Sequence, residues 1–191
     1  MLNNSWAVFD LSTQGNFPPF YGNDPGHPLN QVVALLPSLG IADVVFAAGN
    51  CGQFCPDPRC GAAQIGPARS IYGVAALKDV LTVAAVRSDE IWLGYSSQGP
   101  SDLNFASTKP DLCAPSQFAA ADDWDRSFTG TSTACALTTG AVAARRSLVP
   151  PAVQAPPLLR AHAVATARRV VNQVGPDERR GAGMIDVANF V

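Results

Sequence analysis

The segment Gly130-Thr131-Ser132-Thr133-Ala134-Cys135-Ala136 sets a serine hydroxyl where it can become a nucleophile. A glycine and a small hydroxyl residue ahead of Ser132 let backbone and substrate approach closely. The apolar run that follows, to residue 144, reads as a buried helix starting at the serine. Unpaired N–H groups and the positive dipole at such a helix start stabilise charge developing on a carbonyl oxygen. The same pattern also describes an ordinary N-cap serine. A second segment, Asp43-Val44-Val45-Phe46-Ala47-Ala48-Gly49-Asn50, is an apolar strand ending in a glycine and a side-chain amide. An amide on a rigid strand end donates to an oxyanion without carrying charge, although Gly49-Asn50 also reads as a plain turn. The two segments offer a hydroxyl and an amide donor of the kinds acyl transfer uses, 82 positions apart, and sequence spacing alone does not place Ser132 and Asn50 together.

The elements that must position these groups alternate between strand and helix. Residues 2–8 read as an apolar strand, residues 28–39 carry apolar residues at helical spacing with Pro37 near the end, and Gly40 stops that helix. Residues 43–48 are apolar on nearly every position, the mark of a parallel strand covered on both faces. Strand, helix and strand with this crossover make a βαβ unit. An irregular insertion follows over residues 51–76, then a strand over 80–86, a turn near Ser88-Asp89 and a strand over 91–95. The Ser132 helix and a helix over about 158–171 complete the chain, separated by Pro150-Pro151 and Pro156-Pro157, which are read as helix breakers. The expected fold is α/β, a mostly parallel sheet with helices on both faces, forming a single domain over residues 1–191. In such sheets ligands bind beyond the carboxyl ends of the strands, where Asn50 lies.

At this level of detail the chain resembles the subtilisin-like serine proteases over nearly its whole length. Leu2-Asn3-Asn4-Ser5-Trp6-Ala7 is similar to the family's cleft-lining strand, and Val44 through Asn50 to the strand that delivers its oxyanion-hole asparagine. Val80-Leu81-Thr82-Val83-Ala84-Ala85-Val86, Tyr95-Ser96-Ser97-Gln98-Gly99-Pro100 and Lys109-Pro110-Asp111-Leu112-Cys113-Ala114-Pro115 follow in family order. Gly181-Ala182-Gly183-Met184-Ile185-Asp186-Val187 resembles the closing turn. The resemblance implies peptide hydrolysis through an acyl-enzyme. It implies Ser132 as nucleophile, Asn50 in the oxyanion hole, Gly130 and Thr131 in structural roles, and a substrate cleft lined by Ser5, Trp6, Ala7, Ala47, Ala48 and Gly49. Ala7 and Ala136 stand where family members commonly have glycine and proline.

In this family the catalytic residues run Asp, His, Ser along the chain, the first two ahead of the cleft strand. No counterpart of the segments that carry them is present here, and the chain is expected to be the C-terminal part of a longer catalytic domain. Its two histidines do not fill the gap: His27 lies in a turn-rich loop and His162 in the C-terminal helix. In subtilisin, loss of the histidine or serine costs about a millionfold in rate, leaving about 10³ to 10⁴ over water. The expectations are therefore a serine endopeptidase completed by a segment carrying Asp and His, with this chain inactive by itself, or a silent relative that binds a peptide or protein partner.

Composition narrows the rest. The chain has 191 residues, 47% hydrophobic, with 13 basic and 15 acidic residues and a net charge of −2. That is enough for a substantial core and no footprint for nucleic acid. No run of about 18 apolar residues suggests a membrane span, and the start shows no signal peptide, so secretion is implied only by the family. The pairs Arg145-Arg146, Arg168-Arg169 and Arg179-Arg180 read as solvated helix ends. Cys51, Cys55 and Cys60 leave disulfide, zinc and free thiols open, while Cys113 and Cys135 read as buried hydrophobes. No metal ligand set or cofactor is expected, and a family calcium site has no identifiable residues. Asn3-Asn4-Ser5 fits a glycosylation acceptor but lies on a cleft strand.

Overall fold

The structure, a computed structural model, describes residues 1–101, 104–105, 108–119 and 127–191. Four strands, β1 (Leu2–Asn4), β2 (Val44–Ala47), β3 (Leu81–Val86) and β4 (Leu112–Pro115), form one parallel sheet in sequential order. Leu2 pairs with Val44, Val45 with Leu81 and Val83 with Leu112. Helix α1 (Pro28–Ser38) makes the crossover from β1 to β2. Helix α2 (Gly130–Leu148) crosses all four strands, and the short helices α3 (Pro156–Thr166) and α4 (Val187–Phe190) follow it.

The period-two geometry of a strand sends alternate side chains to opposite faces. Val45, Ala47, Leu81, Val83, Ala85, Leu112 and Ala114 pack with Ala134, Cys135 and Val142 of α2, together with Leu159 and Phe190. Val44, Phe46, Val80, Ala84, Val86 and Cys113 pack on the other face with Val33 of α1 and Ile71, Tyr72 and Val74. Both faces of the sheet are thus covered by helix, and small residues on α2 let it lie close over the strands. This is the α/β architecture expected from the sequence.

Several local expectations are corrected. The first strand stops at Asn4 rather than residue 8, because Ser5 turns to pair with the helix that carries Ser132. No strand forms over residues 91–95 beyond an isolated bridge between Val86 and Trp92. The carbonyls of Gly94 and Tyr95 instead accept from Phe54 and Gly52 of the cysteine-containing segment. Pro156 and Pro157 do not break a helix but begin α3, where the missing N–H would be unpaired in any residue. α3 then ends at Thr166, short of residue 171. Pro37 is carried inside the last turn of α1. Within the 51–76 insertion, two short 3-10 turns form at Ala62–Gln64 and Gly73–Ala76.

Nor is Arg146 a solvated helix end. Its Nε donates to Asp43 Oδ2 at 2.7 Å and its Nη2 to Asp43 Oδ1 at 2.5 Å, with the two side chains only 10% and 6% exposed. Nη1 adds bonds to the carbonyls of Val149 and Gln154. This pair fastens the C-terminal end of α2 to the entry of β2, and so fixes the helix along the strand that carries Asn50.

Candidate active site

Ser132 and Asn50 come together at the carboxyl end of the sheet, each from a different element. α2 begins two residues before the serine, with Thr129 as its N-cap, so Ser132 is the third helical residue rather than the first. The turn into the helix requires glycine at 130, where φ is +83° and an added Cβ would lie 3.2 Å from Nδ2 of Asn50. Two further residues grip that turn. The Gly130 N–H donates to the Tyr95 hydroxyl at 3.1 Å, which donates to Ser116 Oγ at 3.1 Å, and Ser116 Oγ donates to the Gly130 carbonyl at 2.9 Å. Tyr95 and Ser116 were not legible as site residues; the only signal is a tyrosine beside small polar residues after β3.

Asn50 is held by its oxygen. Thr131 donates to Asn50 Oδ1 twice, from its N–H and from its Oγ1, each at 2.9 Å. Among the described residues, Nδ2 meets no acceptor, so the donor end of the amide is left for a ligand. Gly49, at φ +101°, has its N–H on Thr131 Oγ1 at 3.2 Å, and a Cβ there would lie 2.8 Å from Ser97 Oγ. Thr131 therefore couples the start of α2 to the end of β2, a role that its small hydroxyl side chain suits and an apolar one would not.

The Ser132 hydroxyl donates to the Ser5 carbonyl at 2.8 Å, and Ser5 Oγ donates back to the Ser132 carbonyl at 2.9 Å. Asn3 adds a tie from β1 to the next turns of α2, its Oδ1 accepting from Cys135 Sγ at 3.2 Å and Thr139 Oγ1 at 3.0 Å. That engagement gives the Asn3-Asn4-Ser5 acceptor motif a packing role. Burial pushes the Cys135 thiol up to about 11, so one turn beyond the serine the sulfur stays protonated at neutral pH. Neither histidine approaches Ser132: His27 caps α1 by accepting from the Leu29 N–H at 3.3 Å, and His162 packs its ring on Phe190.

Among the described residues, two cavities open from Ser132. One, of about 200 Å³, is lined by both Ser132 and Asn50 together with Ser5, Trp6, Ala7, Phe9, Ala47, Gly49, Arg59 and Thr131. The other, of about 710 Å³, runs along α2 past Phe118, Phe128, Ala136, Leu137 and Gly140. Of the residues expected in the cleft, Ala48 alone stays outside the first cavity. It is buried behind β2 beside Trp6, Ala7 and Tyr72, where a void of about 10 Å³ has room for at most one water. Trp6 stands between the two spaces, its ring edge-on to Phe46.

The cysteines resolve at the same end of the sheet. Cys51, immediately after Asn50, is bonded to Cys60, while Cys55 is a free exposed thiol and Cys113 and Cys135 are buried. The disulfide closes a loop that returns to the cleft: the Asp57 N–H donates to the Asn50 carbonyl at 2.9 Å and the Gly61 N–H to the Phe9 carbonyl at 3.0 Å.

The sequence profile of the subtilase family matches residues 3–183. Among solved structures, MycP1 from Mycobacterium smegmatis is similar with a TM-score of 0.61 at 24% identity, covering 88% of this chain and 46% of its own. The prenylagaramide maturation protease PagA has a TM-score of 0.61 at 18% identity, covering 85% and 54%. The CspB protease of Clostridium perfringens has a TM-score of 0.51 at 19% identity, covering 62% and 27%. The chain spans about half the length or less of these structures. No curated protein sequence matches it.

Proposed function

Because the chain belongs to the subtilase family, we propose that it carries the nucleophile and oxyanion hole of a serine endopeptidase acting on peptide or protein substrates. The observation that supports this most directly is the convergence of the Ser132 hydroxyl and the Asn50 amide on one cavity, with the amide oxygen tied back and its nitrogen free. In this reading Ser132 Oγ attacks the scissile carbonyl carbon. The oxygen takes up negative charge between Asn50 Nδ2 and the Ser132 backbone N–H. The Gly130 and Thr131 N–H groups already have side-chain acceptors, in Tyr95 and Asn50. Ser132 is the next residue in the helix's first turn, where an N–H has no intrahelical carbonyl to bond.

The attack requires a base to take the hydroxyl proton, which Ser132 now donates to the Ser5 carbonyl. We assign the base and its orienting acid to a segment outside these 191 residues, as the family order of catalytic groups implies. The test is labelling of the protein from its source with a fluorophosphonate, together with peptide hydrolysis. Ser132→Ala should abolish both, and Asn50→Ala should lower kcat by about 10²- to 10³-fold while leaving KM little changed. Labelling that survives Ser132→Ala, or an unchanged kcat in Asn50→Ala, overturns the assignment.

One observation favours a second reading, peptide binding without turnover: the Ser132 hydroxyl and the Ser5 backbone satisfy each other and need no third group. In a binder, Ser132→Ala would leave peptide affinity intact and wild-type protein would show no hydrolysis.

A further inference from the structure

We propose that Arg59 selects the substrate, favouring an acidic side chain on the residue whose carbonyl is attacked. The inference rests on the reading of Ser132 and Asn50 given above. Of the two cavities that open from Ser132, only the smaller also contains Asn50. The residue that owns the attacked carbonyl must bring its oxygen to Asn50, and so it occupies that cavity. Among the described residues that line it, Arg59 is the one with an ionisable side chain. The void behind Trp6, at about 10 Å³, admits no side chain, so a substrate side chain ends at the level of Arg59 instead of passing deeper.

The guanidinium is held in place before any ligand arrives. It stacks over the Phe9 ring at 4.0 Å, and Nε and Nη2 donate to Asp57 Oδ1 and Oδ2 at 2.9 and 2.8 Å. Those bonds use two of the five N–H donors of an arginine, leaving both on Nη1 and one on Nη2. The Cys51–Cys60 disulfide closes the loop that bears Arg59, and the loop starts at the residue after Asn50. The positive group is thereby set at a fixed offset from the oxyanion donor. A planar fork with free N–H groups matches a carboxylate far better than a neutral amide. Asp57 offsets part of the charge, and the Arg59 side chain is 67% exposed, so the discrimination is several-fold and salt-sensitive, not absolute.

The test uses product-like peptides, identical except for a C-terminal Glu or Gln, titrated against the protein by calorimetry at low salt. Both share the terminal carboxylate, so the difference reports the side chain alone. The Glu peptide should bind about three- to fivefold more tightly. Arg59→Gln should erase the difference by lowering the Glu peptide's affinity to that of the Gln peptide. Equal affinities in the wild type, or a difference that survives Arg59→Gln, overturn the proposal. Because binding is read without turnover, Ser132→Ala should preserve the difference. Failure of the nucleophile assignment, seen by fluorophosphonate labelling, is thereby separated from failure of the Arg59 assignment.

Discussion

Replacing Gly130 and Gly140 by alanine is the same chemical change on the same helix, and the structure gives the two opposite signs. Gly130 has φ +83°, and its added Cβ would meet Asn50 Nδ2 at 3.2 Å. The left-handed backbone alone costs a residue with a Cβ about 1 to 2 kcal/mol. The crowded amide must also move, loosening its bonds from Thr131 N and Oγ1, each worth about 1 kcal/mol. A total loss of about 2 to 3 kcal/mol follows, or a Tm lower by about 5 to 10 °C for a chain of this size. Gly140 lies in the interior of α2, and a Cβ there meets nothing within 4 Å. Alanine should stabilise that position by up to about 1 kcal/mol through helix propensity. Urea denaturation followed by tryptophan fluorescence measures both. Shifts of the same sign, or a Gly130→Ala effect within about 0.5 kcal/mol of wild type, would refute the argument that this glycine is required by geometry.

Other outcomes follow from the same packing. Asp43→Ala leaves the Arg146 guanidinium buried without its carboxylate, and should cost about 3 to 5 kcal/mol in chemical denaturation; a loss below about 1 kcal/mol would show that water replaces the partner. Native protein treated with a maleimide at neutral pH should label Cys55 rapidly and Cys113 and Cys135 only after unfolding; rapid native labelling of all three would contradict the described burial. Burial pushes the Cys113 and Cys135 thiols up to about 12 and about 11. The native state therefore keeps protons that the unfolded chain releases, and this stabilisation is complete below the ordinary thiol range and is lost as pH rises through 9 to 12. Burial lowers Lys109 to about 8, which works in the opposite direction between about 8 and 10.5. The comparison is therefore made between wild type and a Cys113→Ala/Cys135→Ala variant, in which the lysine contribution cancels. From pH 8 to 10.5 the variant should lose about 1 to 2 kcal/mol less per thiol, and parallel pH profiles would refute the assignment.

Much of the fold was legible because its signals are local. The apolar runs ahead of Asn50 and over Leu81–Val86, the latter interrupted only by Thr82, point to parallel strands covered on both faces, and the small residues after Ser132 point to a buried helix. The elements misread were those whose backbone partners are distant. Residues 91–95 have the composition of a strand, yet their carbonyls accept from Gly52 and Phe54, about forty positions earlier. Arg146 has the look of a solvated helix end until Asp43 is brought against it across the sheet. The proline pair ahead of α3 reads equally as a breaker or as a helix start, because whether the chain is leaving or entering a helix is not a property of the two residues.

For the site, the residue types alone determined which chemistry was available: a hydroxyl at a helix start and an amide at a strand end, with no base between them. The tertiary structure decided the rest. It turned Asn50 so that Thr131 takes its oxygen and leaves its nitrogen free, and it set the Gly130 turn on Tyr95 and Ser116. It also joined Cys51 to Cys60, closing the loop that sets Arg59 in the cavity beside Ser132. These are relations between groups tens of residues apart, fixed by sheet register and helix docking, and no local pattern in the chain encodes their direction or distance.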